Sequence, residues 1–278
     1  MRKADLINQI SEKTGIPKVD VLVTLETMFK EVKDTLARGE NIYIRGFGSF
    51  ITKKRAAKIG RNIKKNIAYG LTEDPIEAMF FTSAAVTTNS EITVRRVPID
   101  FMSVELLKLE KMGLKFDVSE RYKATNGQTD LIDLHIYKHN GKLKALEDKI
   151  HPNVYPAGIN ADNLPYFVPI CGVVQGRSLI HDWMYENRAI YYTEMSKVGM
   201  NVELADPHRL YIEGPTTFRH AEVVSPPALR PASLLLIGMM AADGISILRN
   251  VYTINRGYED LAARLNSLGA HIEIFHDI

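Results

Sequence analysis

The sequence predicts an α/β chain with an α+β prelude: a small helical hairpin carrying a β-arm, then a large domain of repeated strand and helix units. Three observations predict it. Charge is uneven: up to Asn66 there are 15 Lys+Arg against 7 Asp+Glu, a balance of +8, and the remainder carries −6. Apolar residues recur at three- and four-residue spacing in the N-terminal stretch and alternate in short runs further on. Beyond residue 74, one helix–strand–helix–strand grammar is spelled three times.

The 278 residues (31.3 kDa, 45% hydrophobic, 24% charged) exceed a mini-domain and match average globular composition. The longest nearly apolar run, Ala232 to Ala242, is too short to cross a bilayer, so no membrane association is expected. Met1-Arg2-Lys3-Ala4-Asp5 runs into an amphipathic pattern without a hydrophobic signal core. The single cysteine, Cys171, excludes an internal disulfide and fits a reducing cytoplasm.

Taken in order, Ala4 to Lys13 places Leu6, Ile7 and Ile10 on one helical face, and Gly15-Ile16-Pro17 breaks that helix. A second helix, Val19 to Ala37, carries Leu22, Leu25, Phe29, Val32 and Leu36, and Gly39 is placed to end it. Ile42-Tyr43-Ile44 reads as a strand, and Gly46 and Gly48 permit a tight turn that sets Phe47 and Phe50 inward. Lys53, Lys54, Arg55, Lys58, Arg61, Lys64 and Lys65 then put seven cations and no anion into thirteen residues. A basic run alone is usually a solvated surface; here it follows a helical hairpin and a Gly-x-Gly turn, and phosphate is its expected partner.

Ile44-Arg45-Gly46-Phe47-Gly48-Ser49-Phe50 and Gly60-Arg61-Asn62 resemble the HU and integration-host-factor family of bacterial DNA-bending proteins. The resemblance implies a homodimer through the two helices, and basic arms that grip duplex DNA in the minor groove. It covers residues 1–66. The arm tip, the returning strand and the last helix of that family are not recognisable after Asn66, and Ile63 stands where many members have proline. Backbone binding is therefore expected more than bending.

Residues 67–73 form a polar joint, and 74–278 a second domain. Its repeats run from Glu91-Ile92-Thr93-Val94-Arg95 to Leu114-Lys115-Phe116, from Ser178-Leu179-Ile180-His181 to Asn201-Val202-Glu203, and from Ile245-Ser246-Ile247-Leu248 to His271-Ile272-Glu273. Gly113, Gly199 and Gly269 cap the helix before each return strand. Leu131 to Leu146 alternates around Asn140-Gly141, a type I′ hairpin signal. His135 and His139 share a strand face but lie too far apart for a metal pair, and no metal is expected. Leu234 to Ala242, with Met239 and Met240, reads as a buried helix.

Arginines break the bland pattern. Tyr185-Glu186-Asn187-Arg188 and Asn255-Arg256-Gly257-Tyr258 set an arginine at matching points of two repeats, and Ala228-Leu229-Arg230-Pro231 adds one at a helix entrance. A lone arginine would pair with a local acid; three at equivalent edges point to an anionic ligand.

Asp74-Pro75-Ile76-Glu77-Ala78, Tyr155-Pro156-Ala157-Gly158 with Asp162, Glu186-Asn187-Arg188, Leu229-Arg230 and Asn255-Arg256-Gly257-Tyr258-Glu259 resemble the second half of the enolpyruvyl transferases. The nearest likeness is to those acting on UDP-N-acetylglucosamine at the start of peptidoglycan precursor synthesis. The resemblance implies βαβαββ units around an inside-out α/β barrel. It also implies transfer of the enolpyruvyl group of phosphoenolpyruvate to a sugar hydroxyl, with no metal or organic cofactor. By position, Asp162 matches the general-base carboxylate, and Arg188, Arg230 and Arg256 match substrate-binding arginines of the cleft. Ala228 replaces an aspartate, Pro75 an arginine and Asn255 an aspartate. Cys171 lies in an apolar helix and does not match the loop cysteine of the absent other domain. Three readings follow: a transferase-like module inactive on its own, a DNA-binding architectural protein with a passenger domain, or a chimeric chain. A cytoplasmic location with nucleoid association is expected.

Overall fold

The computed structural model describes residues 2–44, 46, 48–50, 70–154 and 158–275, which fall in two units, Met1–Ile67 and Ala68–Ile278. All seven cations from Lys53 to Lys65, together with Phe47 and Tyr155-Pro156-Ala157, lie outside the described residues.

In the first unit, α1 (Lys3–Thr14) and α2 (Lys18–Ala37) form a hairpin. Gly15, at φ 74°, ends α1 in the left-handed region that glycine enters at least cost. Leu6, Ile7 and Ile10 are the half-buried face of α1, as their spacing predicts. On α2 the stripe is less covered: Val21 is buried, whereas Leu22 and Phe29 are exposed along with Val19, Val23 and Met28. Strands β1 (Ile42–Ile44) and β2 (Gly48–Phe50) pair antiparallel, Ile42 opposite Phe50 and Ile44 opposite Gly48, and Phe50 is half-buried.

The second unit opens with α3 (Pro75–Thr87). Asp74 accepts a hydrogen bond from the Ile76 amide at 2.8 Å, and Pro75 fits the first helical turn, where no amide donor is needed. Every residue from Ala78 to Thr87 is buried, as befits a helix apolar on all sides. It is followed by β3 (Ile92–Pro98), α4 (Ser103–Lys111), β4 (Phe116–Val118), β5 (Tyr122–Lys123) and β6 (Asp130–Ile136). Strand β6 is the centre of an antiparallel sheet, flanked by β3 on one side and by β4 and β5 on the other.

The second repeat has α5 (Phe167–Val173), β7 (Gly176–His181), the short α6 (Arg188–Tyr192) continued by a 3-10 turn to Val198, β8 (Asn201–Asp206) and β9 (Arg209–Gly214). Its antiparallel sheet runs β7–β9–β8. The third has β10 (Glu222–Val224), α7 (Leu229–Met240), β11 (Ile247–Arg249), α8 (Tyr252–Gly257) and α9 (Leu261–Ser267), with β10 and β11 parallel. Helices α3, α5 and α7, one per repeat, pack on one another at the centre, with Phe80, Tyr166, Phe167, Leu234 and Leu235 fully buried. The sheets enclose them. This is the inside-out α/β arrangement of repeated units.

Several local expectations meet their counterparts. Gly113, Gly199 and Gly269 all have positive φ at helix ends, and α7 is buried as its composition predicts. Others are corrected. Asn140 and Gly141 both have positive φ, the geometry of a type I′ turn, yet no hairpin follows. The chain after the turn bridges in parallel from Lys144 to Gln175 and from Ile150 to Ile180, so it leaves the first sheet for the second. Residues 271–273 pair in no ladder among the described residues. His135 contacts Thr93 and Glu91, whereas His139 faces the Val86 carbonyl, so the two imidazoles serve separate local contacts.

Cys171 is fully buried in α5, and burial pushes its thiol up to about 12, an effect that Ser178 only partly offsets. A thiol reagent at pH 8 should therefore leave native Cys171 unmodified and label it at least about a hundredfold faster in urea. Equal rates in both states would contradict this packing.

Candidate anion-binding site

The site grows from the end of β7. There the chain places Asp182, wholly buried, with its amide donating to the His208 carbonyl at 2.8 Å. Five residues on, Asn187 takes φ 61°, a left-handed conformation that asparagine tolerates better than most residues, and α6 begins at Arg188. That turn brings the guanidinium back onto Asp182. Arg188 Nε donates to Asp182 Oδ2 at 2.6 Å and Nη2 to Oδ1 at 3.0 Å, a bidentate pair. Tyr192 Oη, one turn along α6, donates to Oδ2 at 2.6 Å. The Tyr185 ring covers the guanidinium, its centroid 4.0 Å from Cζ.

Burial works against the charge of Arg188, but Asp182, with Tyr192 and Asp162, more than compensates, and the guanidinium holds its proton more tightly than free arginine does. Burial likewise raises the Tyr192 phenol well above its ordinary range, with Asp182 adding to the effect. Arg188 is thus a fixed cation with one edge occupied. Its other edge faces the 160–163 loop, where Nη2 donates to the Ala161 carbonyl at 2.6 Å and Nη1 to Asp162 Oδ1 at 3.3 Å.

Arg230 approaches from the first turn of α7, its Nη2 3.6 Å from Asp162 Oδ2, an ion pair longer than a hydrogen bond. Its Nε is buried without a hydrogen-bond partner among the described residues. Beneath it lies a hydroxyl cluster: Tyr166 Oη bonds Tyr258 Oη, and also Ser233 Oγ at 3.1 Å. Burial raises both phenols and also opposes the charge of Arg230, yet the nearby tyrosines, Asp162 and Asp74 leave that guanidinium more firmly protonated than usual. Gly257 lies against Leu229: a Cβ there would stand 2.2 Å from the end of that side chain, which would have to move for α8 to stay this close to α7 with Tyr258 bonded to Tyr166.

The structure therefore gathers Asp162, Arg188 and Arg230. Arg256, in the last turn of α8, is exposed and makes no ion pair among the described residues. Sequence reasoning missed Asp182, Tyr192 and Tyr166. The signal for Asp182 was available, since it ends a strand and precedes the arginine of its own repeat by six residues. Together these groups hold a carboxylate between two guanidinium ends, which suits them to bind an anion beside an oxygen that accepts a proton.

Both parts of the chain are similar to known proteins. Residues 1–74 match the family model described as bacterial DNA-binding protein. The rest is similar to UDP-N-acetylglucosamine 1-carboxyvinyltransferases: that of Campylobacter lari is 31% identical over 204 residues, 73% of this chain and 45% of the relative. That of Treponema pallidum is 28% identical over 73% of this chain and 46% of the relative. Among solved structures, the enolpyruvyl transferase NikO from Streptomyces tendae superposes with a TM-score of 0.58 at 23% identity, over 72% of this chain and 44% of that one. EPSP synthase from Acinetobacter baumannii superposes at 0.62 and 18% identity, over 74% and 48%. The larger unit has the enolpyruvyl-transferase fold. The chain spans less than half the length of the curated relatives it matches over its larger part. No described helix is long and apolar enough to cross a membrane.

Removing one partner of a buried ion pair strands the other, so Asp182→Ala should destabilise the larger unit by about 3–5 kcal/mol. Asp182→Asn, which keeps an acceptor, should lose less. Urea unfolding followed by Trp183 fluorescence would measure both, and a loss under about 1 kcal/mol for the alanine variant would show that the pair does not anchor the site.

Proposed function

We propose that the larger unit is a carboxyvinyltransferase-like module that binds a phosphate-bearing ligand through Arg188 and Arg230, with Arg256 at the rim and Asp162 as the proton acceptor. The observation that carries this is the convergence of two guanidinium groups from different repeats on the two oxygens of one carboxylate. In the reaction that the resemblance implies, a sugar hydroxyl of UDP-N-acetylglucosamine would add to C2 of phosphoenolpyruvate, giving up its proton to a base such as Asp162, while the methylene carbon takes up a proton. That carbon would then lose a proton as the C2–O bond to phosphate breaks, which restores the double bond and releases phosphate. Arginines that meet the phosphate and a carboxylate that meets the hydroxyl are the two roles such a wall supplies.

We further propose that this chain by itself does not run the transfer at an enzymatic rate. The reaction requires both substrates in register in a closed cleft, and positioning supplies much of the lowering of the barrier. The resemblance assigns the opposing wall, with its lysine and loop cysteine, to a domain whose motifs do not occur in this sequence. Ala228 removes a further carboxylate from the wall present here. Purified protein given phosphoenolpyruvate and UDP-N-acetylglucosamine should release phosphate at the background rate, the same as Asp162→Ala. Asp162-dependent turnover near the usual enzymatic range, about 1 per second or faster, would overturn this reading.

For the smaller unit we propose binding to duplex DNA without sequence choice, through Lys53, Lys54, Arg55, Lys58, Arg61, Lys64 and Lys65, in a homodimer joined by the apolar face of α2. The family-model match and the exposed Leu22, Met28 and Phe29 support this. Cytoplasmic residence with nucleoid association follows from that activity. The affinity should fall steeply with salt, and replacing Lys53, Lys54 and Arg55 together should weaken all duplexes alike. Titration of labelled duplexes at rising salt would test it, and a flat response would remove the phosphate-contact argument.

A further inference from the structure

The loop that carries Asp162 is gripped from its far side by a buried carboxylate. On α4, Glu105 shares the inward stripe of Met102, Leu106, Leu109 and Met112, where the spacing calls for an apolar side chain, and it is 2% exposed. Its Oε1 accepts from the Asn160 amide at 3.0 Å and from Asn163 Nδ2 at 2.8 Å. Asn160 in turn accepts from the Asp162 amide through Oδ1 at 2.9 Å. Arg188 holds Ala161 and Asp162 from the opposite side. The four residues 160–163 are thus fixed by Glu105 at both ends and by Arg188 in the middle.

Burial raises the Glu105 carboxyl above its usual range, and the bonds from Asn163 and Asn160 pull it only partly back. A leucine would fill the same stripe without that desolvation cost, so packing does not account for a glutamate here. A cavity of about 440 Å³ lies against this side of the loop, lined by Glu105, Asn160 and Ala161 among others.

We propose that Glu105 is a positioning residue for the anion site, fixing the 160–163 loop so that Asp162 stands between Arg188 and Arg230. The inference rests on the reading of those three residues as one ligand site. Asp162 shields both guanidinium ends, so its placement sets the charge that an incoming anion meets. Loosening the loop uncovers the arginines.

The experiment uses the full chain and phosphoenolpyruvate as probe, read by fluorescence of Trp183, the single tryptophan, whose Nε1 donates to the Pro152 carbonyl at 3.0 Å. Asp162→Ala should bind phosphoenolpyruvate about fivefold more tightly than the natural sequence. Glu105→Leu should shift affinity the same way by about threefold, Glu105→Gln should stay within about twofold of the natural sequence, and the double variant Glu105→Leu with Asp162→Ala should bind no tighter than Asp162→Ala. A folded Glu105→Leu protein with unchanged affinity, or a double variant with the two effects added, overturns the proposal. If Glu105→Leu fails to fold, Glu105→Asp, too short to reach both partners, should show the same pattern at smaller size, and unchanged affinity there overturns it equally. Hydrogen exchange separates this inference from the ligand reading. Exchange at the Asn160 amide should speed up at least about tenfold in Glu105→Leu or Glu105→Asp but not in Glu105→Gln. Faster exchange with no phosphoenolpyruvate binding by any variant would remove the ligand reading and leave the positioning role standing. Unchanged exchange in a folded variant overturns the positioning role.

Discussion

The larger unit is organised around one buried carboxylate. Asp182 sits where β7 ends, and three groups converge on it: both nitrogens of one Arg188 edge and the Tyr192 hydroxyl. An unpaired charge at that depth would cost several kcal/mol, so the turn at Asn187, the start of α6 and the direction of Arg188 are all constrained to bring a cation there. Once Arg188 is fixed, its free edge fixes Ala161 and Asp162. The geometry of the site is in this sense a consequence of desolvation at a strand end.

A second constraint comes from the centre. Helices α3, α5 and α7 are apolar nearly all round, and three polar side chains that α3 and α7 lend the core are satisfied internally. Ser83 donates to the Tyr166 carbonyl at 2.7 Å, Ser233 meets the Tyr166 hydroxyl, and Thr82 bonds back to Ala78 at 2.8 Å. The first and third of these helices thereby meet around Tyr166, which leads into the second, so the footing of Arg230 depends on all three repeats. The supports of the candidate site are thus shared among the three repeats.

Much of this was legible in the sequence because it rests on periodicity and on glycine. The spacing of Leu6, Ile7 and Ile10 gave the half-buried face of α1, and Gly113, Gly199 and Gly269 marked the helix ends of the three repeats. The arginines at matching points of the repeats led to Arg188 and Arg230 beside Asp162. What stayed hidden depends on long-range pairing. Asn140-Gly141 specifies a turn but not the destination of the chain after it, and here Lys144 pairs with Gln175 rather than folding back. The partners of Glu105 come into view only when the loop at 160–163 is set against α4. Arg256 shares the motif position of Arg188 yet is exposed and makes no ion pair among the described residues.

The two units also differ in how they can be stable. The larger one buries its apolar side chains in a core of its own, whereas in the smaller one Val21 alone among the described apolar side chains is fully covered. A segment that leaves Leu22, Val23, Met28 and Phe29 to water gains most from whatever covers them, and its folded population then follows mass action. Were the cover a second copy, as proposed above, dilution would destabilise the smaller unit and leave the larger one unaffected, whereas temperature and denaturant would act on both.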